Sequence, residues 1–200
     1  MKKILLIATG GTIASKYTAD GLAPQISAEE LLEYIPEAKE FCTIDTVQPF
    51  ALDSTNVCAD HWLKLARLIE SKYEFYDGFV LCHGTDTMAY TASVLSFMLH
   101  NIPIPVVLTG SQLPILHPLT DGVENLRCAF AMAASGAPGV FVAFNRKVIL
   151  GTRAVKVRTT GFDAFESVNA PYAATVDSTG LCLHKDVIPP LTGPFRPEQR

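Results

Sequence analysis

The sequence has no surplus of positive charge, no apolar run of membrane-spanning length, no Cys-x-x-Cys pair and no internal repeat. Each gap removes a class of protein. Sixteen Lys and Arg against 20 Asp and Glu give a net charge of −4, which offers a polyanion no footprint and argues against nucleic acid as a partner. A transmembrane helix needs about 20 consecutive apolar residues, so no membrane partner is expected. The five cysteines, at positions 42, 58, 82, 128 and 182, are odd in number and lie mostly within apolar runs. Reduced, buried thiols in a cytoplasmic protein suit that pattern better than a disulfide framework. Lys2-Lys3 ahead of apolar residues resembles a leader, but residues 4–8 are too short for its apolar region and glycines interrupt it.

What is present is core-forming material. The 48% apolar content suffices for a packed interior, so disorder is excluded. Two hundred residues hold one sizeable α/β domain, or a domain and the start of another. Residues 4–8, 78–82, 105–109 and 140–144 are apolar runs of strand length, and 145–147 turn the chain into 148–150. Residues 40–52, rich in Val, Ile, Thr and Phe, read as extended. Helical spacing appears in 59–73, where Trp62, Leu65, Ala66 and Ile69 share a face, and helices are expected at 87–99 and 121–135. Ser27 with Glu30 forms a capping box ahead of a short helix carrying Leu31, Leu32 and Ile35. Strands bare of polar residues and separated by helices predict a three-layer α/β fold: a mostly parallel, Rossmann-like or flavodoxin-like sheet with helices on both faces. Residues 187–200, with Pro189, Pro190, Pro194 and Pro197, have no helical or strand period and read as a linker. A chain ending in such a segment is expected to have a further C-terminal part that is absent here.

In an open parallel sheet, ligands bind beyond the carboxyl ends of the strands. Three loops at that edge share a composition: Thr9-Gly10-Gly11-Thr12, His83-Gly84-Thr85-Asp86-Thr87 and Thr109-Gly110-Ser111-Gln112. Each sets glycine, which permits close backbone approach, beside a hydroxyl. Tight turns and phosphate cradles use similar loops, yet neither GxGxxG nor GxxxxGK[ST] occurs. A threonine hydroxyl needs a base to become a nucleophile. No Ser-His-Asp order is evident, and His83, directly after a strand, reads as a structural hydrogen-bonder. Lysine is the remaining candidate base. Lys156 alternates with Ala154, Val155 and Val157 and is either that base or an exposed strand lysine.

The segments IATGGTIA, GFVLCHGTDTMAYTA, VVLTGSQLP and GTRAVKVRTTGFDAFES occur in order across almost the whole chain. Together they resemble the bacterial-type L-asparaginase family, and within it the cytoplasmic type I branch. The resemblance implies hydrolysis of L-asparagine to L-aspartate and ammonia through a threonyl acyl-enzyme, without metal or cofactor. Thr12 is then the nucleophile, Thr85 and Lys156 move protons, and Asp86 holds the substrate ammonium. In ALDSTNV, Asp53, Ser54 and Thr55 fall where the family binds the substrate, Ser54 at its α-carboxylate. Gly11, Gly84 and Ser111 line the pocket through their backbone, and the N–H groups of Thr12 and Thr85 are oxyanion donors.

The resemblance also assigns boundaries and partners. Residues 1–186 correspond to the family's N-terminal catalytic domain and 187–200 to the linker before a smaller C-terminal domain. Homo-oligomers, dimers or tetramers, place a neighbour's C-terminal domain near each site, so the 200-residue form is expected to fold but to hydrolyse asparagine poorly or not at all. Two positions depart from the pattern. Tyr17 is the only tyrosine in the segment where the family often has one assisting the nucleophile. Thr55 stands where some relatives carry an amide, leaving the choice between asparagine and glutamine open. Residues 15–25 are expected to form a lid loop ordered by ligand. Two alternatives remain: a non-catalytic amino-acid-binding fragment, and the amidohydrolase subunit of a transamidation complex.

Overall fold

Alternation of side chains along the apolar runs decides the architecture. The computed structural model describes residues 1–19 and 21–197. Asp20, at the tip of the expected lid, and the last three residues of the expected linker lie outside the described residues. In chain order the elements are β1 (Lys2–Ala8), β2 (Ser15–Thr18), β3 (Gly21–Pro24), α1 (Ala28–Leu32), α2 (Ala38–Phe41) and β4 (Cys42–Val47). Next come α3 (Ala59–Glu70), β5 (Gly78–Cys82), α4 (Met88–Met98), β6 (Pro105–Thr109) and α5 (Gly122–Ala133). The chain closes with β7 (Gly139–Phe144), β8 (Lys147–Leu150), β9 (Ala154–Lys156), β10 (Phe165–Ser167), β11 (Ala174–Asp177) and β12 (Gly180–Leu183).

Eight strands form one sheet in the order β12-β11-β8-β7-β6-β5-β1-β4. From β4 to β7 every pairing is parallel. The far edge, β8, β11 and β12, is antiparallel. Asn145 and Arg146 permit that reversal, since both have positive φ, as a two-residue hairpin turn requires. Ile4, Leu6, Ala8, Val80 and Cys82 point into the core under α1 and α5. The intervening Leu5, Ile7, Phe79 and Leu81 point into the opposite core, under α3 and α4. Two buried faces on one sheet make the three-layer α/β fold expected from the sequence.

Three local expectations change. Residues 40–52 are not extended throughout: α2 takes the first two, β4 the middle, and a loop the rest. Segment 15–25 is not a loop but a hairpin, β2 on β3, with Gly21 at φ 113° beside the reversal. Its base is fixed because Gln25 N–H and Ile26 N–H both donate to the Ala14 carbonyl, at 2.8 and 2.9 Å. Cys42, Cys82 and Cys128 are buried, but Cys58 is exposed at the start of α3.

Residues 187–197 contain no helix or strand, yet they lie against the body. Thr192 donates from N–H and Oγ1 to Asn101 Oδ1, at 2.9 and 3.1 Å, and Phe195 packs edge-on against Tyr73. Among the described residues no helix is long and apolar enough to cross a membrane.

Strand β1 has β4 on one side and β5 on the other, so the chain reverses its direction of travel across the sheet there. Register places Ala8 beside Cys82 and Cys82 beside Thr109. The three glycine–hydroxyl loops therefore leave the sheet side by side and level, at the switch point where such folds take ligands.

Candidate active site

The first two loops meet through their glycines. Gly11 has φ 78°, and a Cβ there would lie 2.5 Å from Gly84 Cα. A Cβ on Gly84 would in turn lie 2.6 Å from both Cβ and Oγ of Ser54. Only residues without side chains allow three backbone segments this close. Gly110 of the third loop lies against the His83 carbonyl, and Thr87 Oγ1 donates to the Ser54 carbonyl at 2.7 Å. Thr12 and Thr85 directly follow the two touching glycines. Thr12 opens the short 3-10 helix Thr12–Ala14.

Lys156 reaches this cluster from outside the main sheet. It ends β9, whose antiparallel partner β10 pairs Phe165 with it. Phe165 is buried and packs on Phe144, 5.0 Å between ring centroids, which pins the small sheet to the core. The Lys156 ammonium then donates to Thr85 Oγ1 at 2.8 Å and to Asp86 Oδ1 at 2.7 Å. The lysine side chain is 16% exposed and the aspartate 60%, so the cation is enclosed while its carboxylate partner still faces solvent. The two readings of Lys156 left open by the sequence resolve in favour of an inward amine.

Gln112 belongs to the same network, a role that its sequence context did not reveal. Thr85 Oγ1 donates to Gln112 Oε1 at 3.3 Å, and Gln112 Nε2 donates to the carbonyls of Thr159 and Gly161 at 2.9 and 3.1 Å. It thereby ties the second motif to the segment just after Lys156. The only signal in the sequence was its place in the third loop.

The remaining expected residues divide. Ser54 is buried in the 3-10 helix Ser54–Asn56, and its hydroxyl has no hydrogen-bond partner among the described residues. Asp53 and Thr55 are exposed and bonded to each other: Asp53 Oδ1 accepts from Thr55 N–H at 2.8 Å and from its hydroxyl at 2.7 Å. Ser111 is buried with its hydroxyl on the Leu113 carbonyl. Tyr17 stands 72% exposed on β2 opposite Leu22, away from any polar partner among the described residues. The Thr12 hydroxyl likewise has no partner there.

His83 is fully buried beneath the second loop, and the expectation of a structural role holds. Thr91 Oγ1 accepts from Trp62 Nε1–H at 2.8 Å and lies 2.9 Å from His83 Nε2; His83 Nδ1 lies 2.7 Å from the Gly84 carbonyl. Burial holds the imidazole neutral, pushing its pKa from 6.5 down to about 4. The unfolded chain then binds this proton more tightly than the folded one. Its contribution to stability is therefore complete above pH 6.5 and is lost as pH falls through that window to 4, by about 3 kcal/mol in all. Melting temperature against pH should show this decline in the wild type, and His83→Asn should lack that component; superimposable profiles would contradict it.

Among the described residues no group of three or more His, Cys, Asp and Glu is placed to hold a metal ion. What the site offers is a set of hydroxyls and a carboxylate on glycine-rich turns, with a lysine amine brought to them by β9. That arrangement suits nucleophilic chemistry on a small polar molecule.

The fold and site thus define a three-layer α/β domain with a hydroxyl–lysine–carboxylate cluster at its switch point. Residues 3–189 match the family model described as asparaginase, N-terminal, and the chain belongs to that family. It is 46% identical over 175 residues to an L-asparaginase of Thermococcus kodakarensis, covering 87% of this chain and 53% of that one. It is 41% identical over 177 residues to L-asparaginase 1 of Escherichia coli, covering 85% and 52%. A subunit of the glutamyl-tRNA(Gln) amidotransferase of Archaeoglobus fulgidus is 37% identical over 189 residues, covering 90% and 45%. Among solved structures, the thermostable L-asparaginase from T. kodakarensis superposes with a TM-score of 0.89 at 43% identity, covering 98% of this chain and 60% of that one. A probable cytoplasmic L-asparaginase from Campylobacter jejuni gives 0.84 at 31%, covering 94% and 58%. The chain spans about half the length of the curated relatives it matches.

Proposed function

We propose that this domain hydrolyses the side-chain amide of L-asparagine, giving L-aspartate and ammonia. The observation that carries the reading is the Lys156 amine, bonded at once to Thr85 Oγ1 and Asp86 beside the Gly11–Gly84 contact. A zwitterionic substrate needs an acceptor for its ammonium and donors for its carboxylate at opposite ends. Asp86, whose carboxylate faces solvent, supplies the first, and the unpartnered Ser54 hydroxyl the second; Asp53 and Thr55 shape that end. The side-chain amide is then held over Thr12.

Thr12 Oγ attacks the amide carbon, and its proton passes through the Thr85–Lys156 pair to the departing nitrogen. The C–N bond breaks, ammonia leaves, and an aspartyl ester of Thr12 remains. Water then cleaves the ester, restoring the Thr12 hydroxyl. The N–H groups of Thr12 and Thr85, neither with an acceptor among the described residues, receive the negative charge that develops on the amide oxygen. No cofactor enters this scheme. We also propose that the 15–24 hairpin closes over the bound substrate, bringing Tyr17 towards Thr12.

Residues 1–186 are read as the catalytic domain and 187–200 as the linker towards a smaller C-terminal domain, a reading supported by relatives about twice as long. The full protein is proposed to be a cytoplasmic homo-oligomer. Ammonia release from asparagine and glutamine, measured on the 200-residue chain and on a version extended past Arg200, tests the proposal. Asparagine should be hydrolysed, faster in the longer form. Aspartate binding with no ammonia from either form would favour a binding module instead. Release only in the presence of a partner would favour an ammonia-supplying subunit, which the similarity to an amidotransferase component also supports. Lys156→Met should lower kcat roughly 10³-fold, since proton transfer by a positioned side chain contributes about 10²–10⁴-fold. Unchanged kcat would remove lysine from the mechanism.

A further inference from the structure

The buried relay beneath the second loop does more than fill space. Thr91 Oγ1 accepts a hydrogen bond from Trp62 Nε1–H at 2.8 Å and lies 2.9 Å from His83 Nε2. The Gly84 carbonyl beside Nδ1 can only accept, so the neutral ring carries its proton on Nδ1, and Nε2 accepts from the Thr91 hydroxyl. Nδ1–H donates to the Gly84 carbonyl, with 2.7 Å from nitrogen to oxygen.

The Gly84 carbonyl and the Thr85 N–H belong to one peptide unit. No peptide bond is cis among the described residues, so the two groups point in opposite directions across the plane. Gripping the carbonyl from the core side turns the N–H outward. Thr85 is only 6% exposed, and its N–H has no acceptor among the described residues. A buried N–H without a partner is rare and costly. An acceptor arriving with the substrate explains why one is tolerated here.

We infer that His83, steadied by Thr91 and Trp62, is a positioning residue that holds the Gly84–Thr85 peptide with its N–H aimed at the developing oxyanion. The inference rests on the asparaginase reading above. It assigns His83 no contact with substrate and no proton transfer. Without the imidazole, the peptide is free to turn its carbonyl towards the site, removing a donor and presenting an acceptor in its place.

The test compares His83→Leu, which removes both ring nitrogens, with His83→Asn, whose amide restores an N–H close to the Nδ1 position. Steady-state kinetics with asparagine and calorimetric binding of aspartate are measured on whichever of the two chain lengths turns over. Loss of one oxyanion donor costs about 10²–10³-fold in kcat. His83→Leu should therefore lower kcat by about 10²-fold while KM and aspartate affinity stay within about threefold, and His83→Asn should recover at least about tenfold of that loss. If His83→Leu does not fold, Thr91→Val decides: kcat should fall about tenfold at unchanged KM. Wild-type kcat in the folded leucine variant or in Thr91→Val, or an asparagine variant no better than leucine, overturns the inference while leaving the asparaginase reading intact. Absence of ammonia from the wild type in both lengths overturns that reading, and this inference falls with it.

Discussion

On the proposed mechanism, Thr12→Ala should abolish asparagine hydrolysis, lowering kcat by at least about 10⁴-fold, because the nucleophile of a covalent mechanism has no substitute. The variant should fold normally. Thr12 is half-buried, its hydroxyl has no partner among the described residues, and alanine is compatible with the short helix it opens. Aspartate affinity should remain within a few-fold, since the proposed function gives the ligand ends to Asp86 and Ser54. Kinetics and calorimetry on the same preparation separate the outcomes. Retained turnover would shift the nucleophile elsewhere, and joint loss of binding and turnover would make Thr12 a binding residue.

Gly11→Ala should be severely disruptive. It meets two obstacles: a φ of 78° and a Cβ 2.5 Å from Gly84 Cα. The second obstacle is backbone, so no rotamer change relieves it. Gly136 provides the control, because it has the same φ of 78° with nothing within 4 Å of its Cβ position. Gly136→Ala should cost only about 1 kcal/mol, the ordinary penalty for a left-handed alanine. Gly11→Ala should cost at least about 3 kcal/mol and lower Tm by roughly 6–12 °C for a domain of this size. It should also force the two loops apart and remove turnover. Equal destabilisation of the two variants would show that conformation, not close approach, explains Gly11.

Two glycines alike in the sequence but so different in their surroundings mark one limit of what could be read in advance. Apolar runs such as residues 78–82 and 105–109 announced buried strands because every position faces a core, and order along the chain then implied a parallel sheet. The hairpin at 15–24 escaped detection: its strands are four residues each, half-exposed, and paired only with each other. Residues 40–41 followed α2 because helix ends depend on packing more than on β propensity. The candidate site was legible where chemistry and glycine sit in one loop, as at 9–12 and 83–87. It was not legible where partners meet only through folding. Lys156 could be seen as an unusual lysine, but its direction depends on Phe165 anchoring β10. The Trp62–Thr91–His83 relay joins α3, α4 and the end of β5, and no spacing within one segment encodes it. Gln112 was visible as a letter in the third motif, yet its bridge to Thr159 and Gly161 spans 47 to 49 positions.

Three glycine–hydroxyl loops leave neighbouring strand ends side by side, with Lys156 bonded to Thr85, and the proposed function requires them to converge on a small amino acid. A crystal structure of the protein soaked with L-aspartate examines it directly. The ammonium group should rest on Asp86 and the side-chain carboxyl should lie within hydrogen-bond reach of Thr12 and the Thr85 N–H, with Lys156 still beside Thr85. Aspartate bound elsewhere, or residues 12, 85 and 156 turned towards separate regions of the molecule, would contradict it.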